Sequence, residues 1–154
     1  MLRSKDFYLK KVYNKEGKKI GIVEATYINF VTNRIVGFKI YSTNMIKRDI
    51  MFERIISFDE TIIVEESEDV KGILFKTIKD IEIINELGNI NGTVEDFICD
   101  NVGAIVGVVS SFGLVSDLLK GKQIFLINDC LLMKDKILYK GRANISFISM
   151  PHAI

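Results

Sequence analysis

Catalytic and metal-binding chemistry is scarce in this chain of 154 residues. There is one histidine, His152, and it falls among the last three residues, where a chain is rarely ordered. A Ser/His/Asp or Cys/His arrangement would have to be built on it, so hydrolase chemistry of that kind is not expected. There are two cysteines, Cys99 and Cys130, 31 positions apart, with no companion histidines. That spacing fits no zinc site, and the simplest reading is two reduced, buried thiols in a cytosolic protein. The only proline is Pro151. No P-loop and no GxGxxG ahead of a helix occurs; Gly103 and Gly107 merely flank a strand-like segment. The longest apolar stretch, Ala104 to Val109, is far too short for a membrane-spanning helix, and Met1-Leu2-Arg3-Ser4-Lys5-Asp6 has no apolar core of a signal peptide. No cofactor is expected.

Charge of one sign is also lacking. Lys and Arg number 21 against 20 Asp and Glu, a formal net charge of +1. A global signature for nucleic acid is therefore absent. Residues 1–19 carry seven Lys/Arg against two acids, a local +5, so the remainder sums to −4. The basic segment lacks a series of aromatics on which bases would stack, so only weak nucleic-acid binding is expected. Paired acids occur at Glu65-Glu66, Glu68-Asp69 and Glu95-Asp96. The last two are neighbours on an expected strand, so they point to opposite faces and share neither proton nor metal.

What the chain does have is the same line twice. Asn14, Gly17, Gly21, Val23 and Glu24 recur as Asn85, Gly88, Gly92, Val94 and Glu95, all at an offset of 71. Ile35-Val36-Gly37 recurs as Ile105-Val106-Gly107 at 70, and Ile62 recurs as Ile137 at 75. One residue is dropped in a turn, and about five are gained later. An internal repeat fixes the architecture ahead of other signals. A module of about 70 residues buries only about 60% of its unfolded surface, so each needs a well-filled core. The 48% hydrophobic content is in keeping with that.

Within each copy, short Ile/Val-rich runs alternate with Gly/Asn/Asp punctuation. Strands are expected over Tyr8–Tyr13, Lys19–Phe30, Arg34–Tyr41, Ile50–Phe52 and Thr61–Glu65. In the second copy they are expected over Ile90–Cys99, Ala104–Ser110, Gln123–Ile127 and Lys136–Lys140. Gly17 suits a turn of positive φ, and Gly21 inside a strand suggests a bulge or a close backbone approach. A short helical turn is expected ahead of the last hairpin in each copy. Glu24 and Glu95 fall at equivalent positions, which either cap a barrel mouth or mark an outward face, and the outward face is the preferred reading. Many short antiparallel strands joined by tight turns imply a small barrel. The charged stretch Glu65–Gly72 is read as the link, with modules at 1–69 and 70–154.

The pattern Val12-Tyr-x-x-x-Gly17-x-x-Ile20-Gly21-x-Val23, followed by Ile35-Val36-Gly37 and a closing Thr61-Ile62-Ile63-Val64, resembles the PRC-barrel domain. That family includes the cytoplasmic domain of the photosynthetic reaction centre H subunit and the C-terminal domain of ribosome maturation factor RimM. The stretch from Val109 to Lys122 is similar to the second module of tandem PRC-barrel proteins in spore-forming bacteria. The resemblance implies an all-β protein of two small PRC-type β-barrels in tandem, acting as a structural or adaptor module with no catalytic residues. A proline often precedes the family's helical turn; Phe52 and Ile127 stand there instead.

Two candidate interaction surfaces follow. The five-residue gain falls in the stretch Phe112–Lys122, which is apolar where an inserted loop is normally polar. Ser116 suits a helix N-cap and Gly121 the position after its end. Phe112, Leu114, Val115, Leu118 and Leu119 either fold back as a lid over a barrel end or present an apolar patch to a partner. The second surface is Met45 to Arg54, with Met45, Lys47, Arg48 and Phe52, where basic and apolar residues interleave as on an edge strand with charged gatekeepers. The expected function is non-enzymatic protein–protein interaction, with a homodimer as one form. The alternatives are an RNA- or ribosome-associated module and, more weakly, a small-molecule or metal binder.

Overall fold

The computed structural model describes residues 1–42, 47–65, 69–141 and 145–147. The chain divides into two compact units: Met1–Thr77 with Asp100–Ala104, and Ile78–Cys99 with Ile105–Ile154. Both are built of β-strands, and no helix among the described residues is long and apolar enough to cross a membrane.

The first unit contains β1 (Leu2–Arg3), a one-turn helix α1 (Ser4–Phe7), β2 (Lys11–Asn14), β3 (Lys19–Asn29), β4 (Arg34–Tyr41), β5 (Lys47–Met51), β6 (Ile55–Phe58), β7 (Thr61–Val64) and β8 (Ile73–Leu74). A 3₁₀ turn over Phe52–Arg54 joins β5 to β6. Hydrogen-bonded neighbours run β5-β4-β3-β2-β7-β6. All these pairs are antiparallel except β2 with β7, where Val12 lies beside Ile62 in parallel.

The second unit repeats this order. It contains β9 (Glu82–Asn85), β10 (Ile90–Cys99), β11 (Ile105–Ser111), a helix α2 (Leu114–Lys120), β12 (Lys122–Leu126), β13 (Cys130–Leu132), β14 (Lys136–Tyr139) and β15 (Ile145–Phe147). Its path β12-β11-β10-β9-β14-β13 matches the first unit strand for strand, again with one parallel pair, β9 with β14. A 3₁₀ turn over Ile127–Asp129 sits where Phe52–Arg54 sits in the first. The expected helical turns are thus present, and Phe52 and Ile127 begin them. The all-β, two-barrel architecture read from the repeat is what the chain adopts.

Local sequence explains the shared frame. Asn14 and Asn85 each open a β-turn. The Asn14 side chain accepts from the Lys18 amide at 2.8 Å, and that of Asn85 from the Asn89 amide at 2.9 Å. Gly17 and Gly88 take φ of 78° and 80° in those turns, a conformation that costs glycine nothing. Gly21 sits at a register shift between β2 and β3, and a Cβ there would run into the Tyr41 carbonyl. Both expected uses of that glycine are realised together.

The cores are correspondingly paired. Val12, Val23, Ile35 and Ile62 are buried in the first unit; Ile83, Val94, Ile105 and Ile137 are buried in the second. In the first, Phe7 packs on Phe38 and on Phe58, each at 5.2 Å between ring centroids. In the second, Phe125 meets Tyr139 edge-on at 4.6 Å. Such pairs contribute about 0.5–1.5 kcal/mol beyond the area they bury.

Three expectations need correction. The run from Tyr8 is not a strand from its start: α1 ends at Phe7, Tyr8 and Leu9 are exposed, and Leu9 adopts φ 64°. Asp6 caps the start of α1 by accepting from the Arg3 amide at 2.7 Å, and Phe7 at its end is buried. Secondly, Glu95 and Asp96 do not simply alternate. The register between β10 and β11 shifts between Val94 and Asp96, so Glu95 is the extra residue of a β-bulge. Glu24 is the extra residue of the same bulge in β3. Thirdly, neither glutamate projects freely outward. Each is about two-thirds buried and ion-paired, Glu24 with Lys76 at 3.5 Å and Glu95 with Lys122 at 2.5 Å.

Candidate functional site

The five-residue gain of the second unit lies between β11 and β12, and it forms α2. Glycines bracket the helix: Gly113 at φ 97° before it and Gly121 at φ 76° after it. Ser116 is not the N-cap. Asp117, in the first turn, instead anchors the segment that leads into the helix. Its carboxylate accepts from the Phe112 amide at 2.9 Å and from the Ser111 hydroxyl at 2.5 Å. The Ser111 hydroxyl in turn accepts from the Gly113 amide at 3.1 Å. Ser111 belongs to β11, so this network ties the helix to the barrel by its polar side.

At 100° per residue, Leu114, Val115, Leu118 and Leu119 fill about 140° of the helix circumference, and Ser116, Asp117 and Lys120 the rest. Ser116 and Asp117 are half-buried against the barrel. The apolar side therefore faces away from it. Leu114, Val115, Leu118 and Leu119 are 79%, 70%, 72% and 78% exposed, and Phe112 is 46% exposed. Nothing in α2 is buried. Of the two arrangements open from sequence, the lid is not the one adopted. Rotating the apolar side inward would break the Asp117 bonds.

The first unit's candidate surface is laid out differently. Met45 lies outside the described residues, and Lys47 enters through its backbone alone, paired with Tyr41. Arg48 is exposed, beside Ile40 on β4. Phe52 is half-buried and its ring lies 6.1 Å from that of Phe38, so it extends the core rather than standing free. The two candidate groups belong to different units.

A polar cluster that sequence reading missed lies beside Arg48. The Tyr27 hydroxyl donates to Asp49 at 3.1 Å, and Lys39 donates to the Tyr27 hydroxyl at 3.4 Å, its ammonium 5.8 Å from the ring centre. Burial pushes the Tyr27 phenol above its ordinary range, and the bond to Tyr27 raises Lys39. The register gave the signal that would have found it, since Lys39 and Asp49 are cross-strand partners. At the matching positions of the second unit stand Ile98, Val109 and Ile124.

The remaining candidates are structural. Cys99 is fully buried, and burial, reinforced by Asp129, pushes the Cys130 thiol up to about 12. A thiol so poorly ionised is a weak nucleophile. No three His, Cys, Asp or Glu side chains gather to hold a metal among the described residues. Of the basic amino-terminal side chains, Lys11, Lys15, Lys18 and Lys19 are exposed on the β2–β3 hairpin, while Lys10 lies over the Phe58 ring.

A small all-β barrel in which one early strand, β2 or β9, pairs in parallel with one late strand, β7 or β14, defines the structural class. Within it, the model of the PRC-barrel domain matches residues 1–74, which span β1 to β8. No curated protein matches the chain.

Proposed function

We propose that this chain is a cytoplasmic, non-enzymatic adaptor made of two PRC-type modules in tandem, and that it acts by protein–protein interaction through α2. The observation that carries this reading is the outward apolar side of α2, fixed by Asp117. Single exposed aliphatic side chains are ordinary, whereas a contiguous group of them marks an interaction site. Full burial of each would contribute about 1.5–3 kcal/mol, enough for two or three of them to hold a partner. The repeated strand order supports the tandem reading of the second half. The PRC-barrel match over the first half supports an interaction module rather than an enzyme.

The test is the double substitution Leu118→Ser with Leu119→Ser. A docking patch gives an unchanged melting temperature with loss of a partner or of self-association. A clear fall in melting temperature, or retention of every partner, would overturn the assignment to α2.

A further inference from the structure

The two units differ at one sheet edge. In the second, β15 pairs antiparallel with β12, with Lys122 beside Phe147, Gln123 beside Ser146 and Ile124 beside Ile145. In the first, β5 is the counterpart of β12, residue for residue at an offset of 75. It pairs with β4 on one side, and no strand among the described residues pairs with the other. The reason lies in the chain that follows each closing strand. After β14 it crosses to β12. After β7 it turns the other way: Val70 lies against Gly37, Gly72 against Val36 and Ile28, and β8 pairs with Tyr27 and Ile28 of β3. The edge that its own chain fills in one unit thus has no strand beside it among the described residues of the other.

We propose that the free edge of β5, at Lys47–Asp49, accepts an added antiparallel strand from a partner protein, an extended segment with a carboxylate opposite Arg48. The filled β12 edge shows that this barrel accommodates a strand at that place with the register given above. Added ladder bonds would supply the affinity and alternate side chains the specificity. The charge of the edge selects the occupant. Asp49 is engaged by Tyr27 and sits beside Lys39, so among the described side chains of β5 the exposed charge is that of Arg48. A second copy of β5 is a poor occupant. A symmetric antiparallel pairing centred on Arg48 sets arginine against arginine, and one centred on Asp49 sets aspartate against aspartate. Like charges directly opposite are destabilising. This surface is distinct from α2, and substitutions in α2 are expected to leave it intact.

The experiment uses the full chain and a short synthetic peptide built on Ile-Glu-Phe, the sequence of β15 with glutamate in place of Ser146. Hydrogen exchange is expected to slow, when peptide is added, at those amides of Lys47–Asp49 that point away from β4. Arg48→Glu is expected to weaken binding about fivefold, and a peptide with lysine in place of the glutamate to recover it. An exchange pattern in which β5 is unprotected overturns the proposal. So does an affinity indifferent to Arg48→Glu, or protection that follows protein concentration without peptide, which would make a second copy the occupant.

Discussion

Ser111 on β11 and Asp117 in α2 are joined by a hydroxyl–carboxylate hydrogen bond of 2.5 Å, and this contact sets which side of the helix meets the barrel. Charge-assisted bonds of this kind are about twice as strong as neutral ones. Asp117→Ala removes it together with the Phe112 bond. The expected result is faster exchange at the α2 amides and a loss of about 1–3 kcal/mol in chemical denaturation. Retained exchange protection of α2 would show that the flanking glycines and helix propensity suffice.

Ile35 and Ile105 hold equivalent inward positions, 2% and 4% exposed, while their neighbours Val36 and Val106 lie on the other side of the strand. Truncation of either to alanine is expected to cost about 2–5 kcal/mol, and Val106→Ala less than about 0.5 kcal/mol. Urea unfolding of the three variants checks the facing of both strands in one series.

The bulge glutamates are expected to respond unequally. Lys122 contacts Glu95 at 2.5 Å and is 31% exposed, whereas Lys76 contacts Glu24 at 3.5 Å and is 54% exposed. Lys76→Met is expected to change stability by about 0–1 kcal/mol, in line with an exposed pair. Lys122→Met removes the closer and less exposed cation and is expected to cost more, about 1–3 kcal/mol. Equal effects in thermal unfolding would mean that the shorter contact adds nothing.

Stability is expected to fall as pH rises above about 9, where an ordinary thiol ionises. The unfolded thiol ionises there, while burial keeps the folded thiol protonated to about 12. The folded state then binds more protons than the unfolded one, so its advantage is complete below pH 9 and shrinks between 9 and 12. Tyr27 and Tyr139, both raised by burial, add the same sign above 10. Cys130→Ala is expected to flatten the first part of that decline, measured as denaturation midpoint against pH.

The repeat made much of this structure legible. Residues at a constant offset must share a backbone, so Gly17 and Gly88, Val23 and Val94, and Ile35 and Ile105 could be placed before any coordinates were known. The position of the length gain was legible for the same reason. The direction of α2 was not. Helical spacing shows that Leu114, Val115, Leu118 and Leu119 share a side, but which side meets the barrel depends on Ser111, a residue outside the helix. The bulge at Glu95 was hidden too, because an extra residue in one strand appears only against its partner. The strand β15 lies in a tail the repeat does not cover, and three residues carry no periodicity. The one-turn helix α1 depends on Asp6 reaching back to Arg3, and a propensity reading of the Tyr8–Tyr13 run passes over it.

The parallel pairing of β2 with β7, and of β9 with β14, bears on how the chain reaches this state. Each barrel is closed by its first and last long-range partners, so neither can be completed until its far end has been synthesised. Ile62 and Ile137 offer nearly the same closing strand to Val12 and Ile83. During refolding a closing strand can therefore dock on the wrong opening strand, trapping a misassembled monomer or linking two molecules by exchange. Synthesis from the amino terminus separates the choices in time: β7 emerges and closes the first barrel before β9 exists to compete for it.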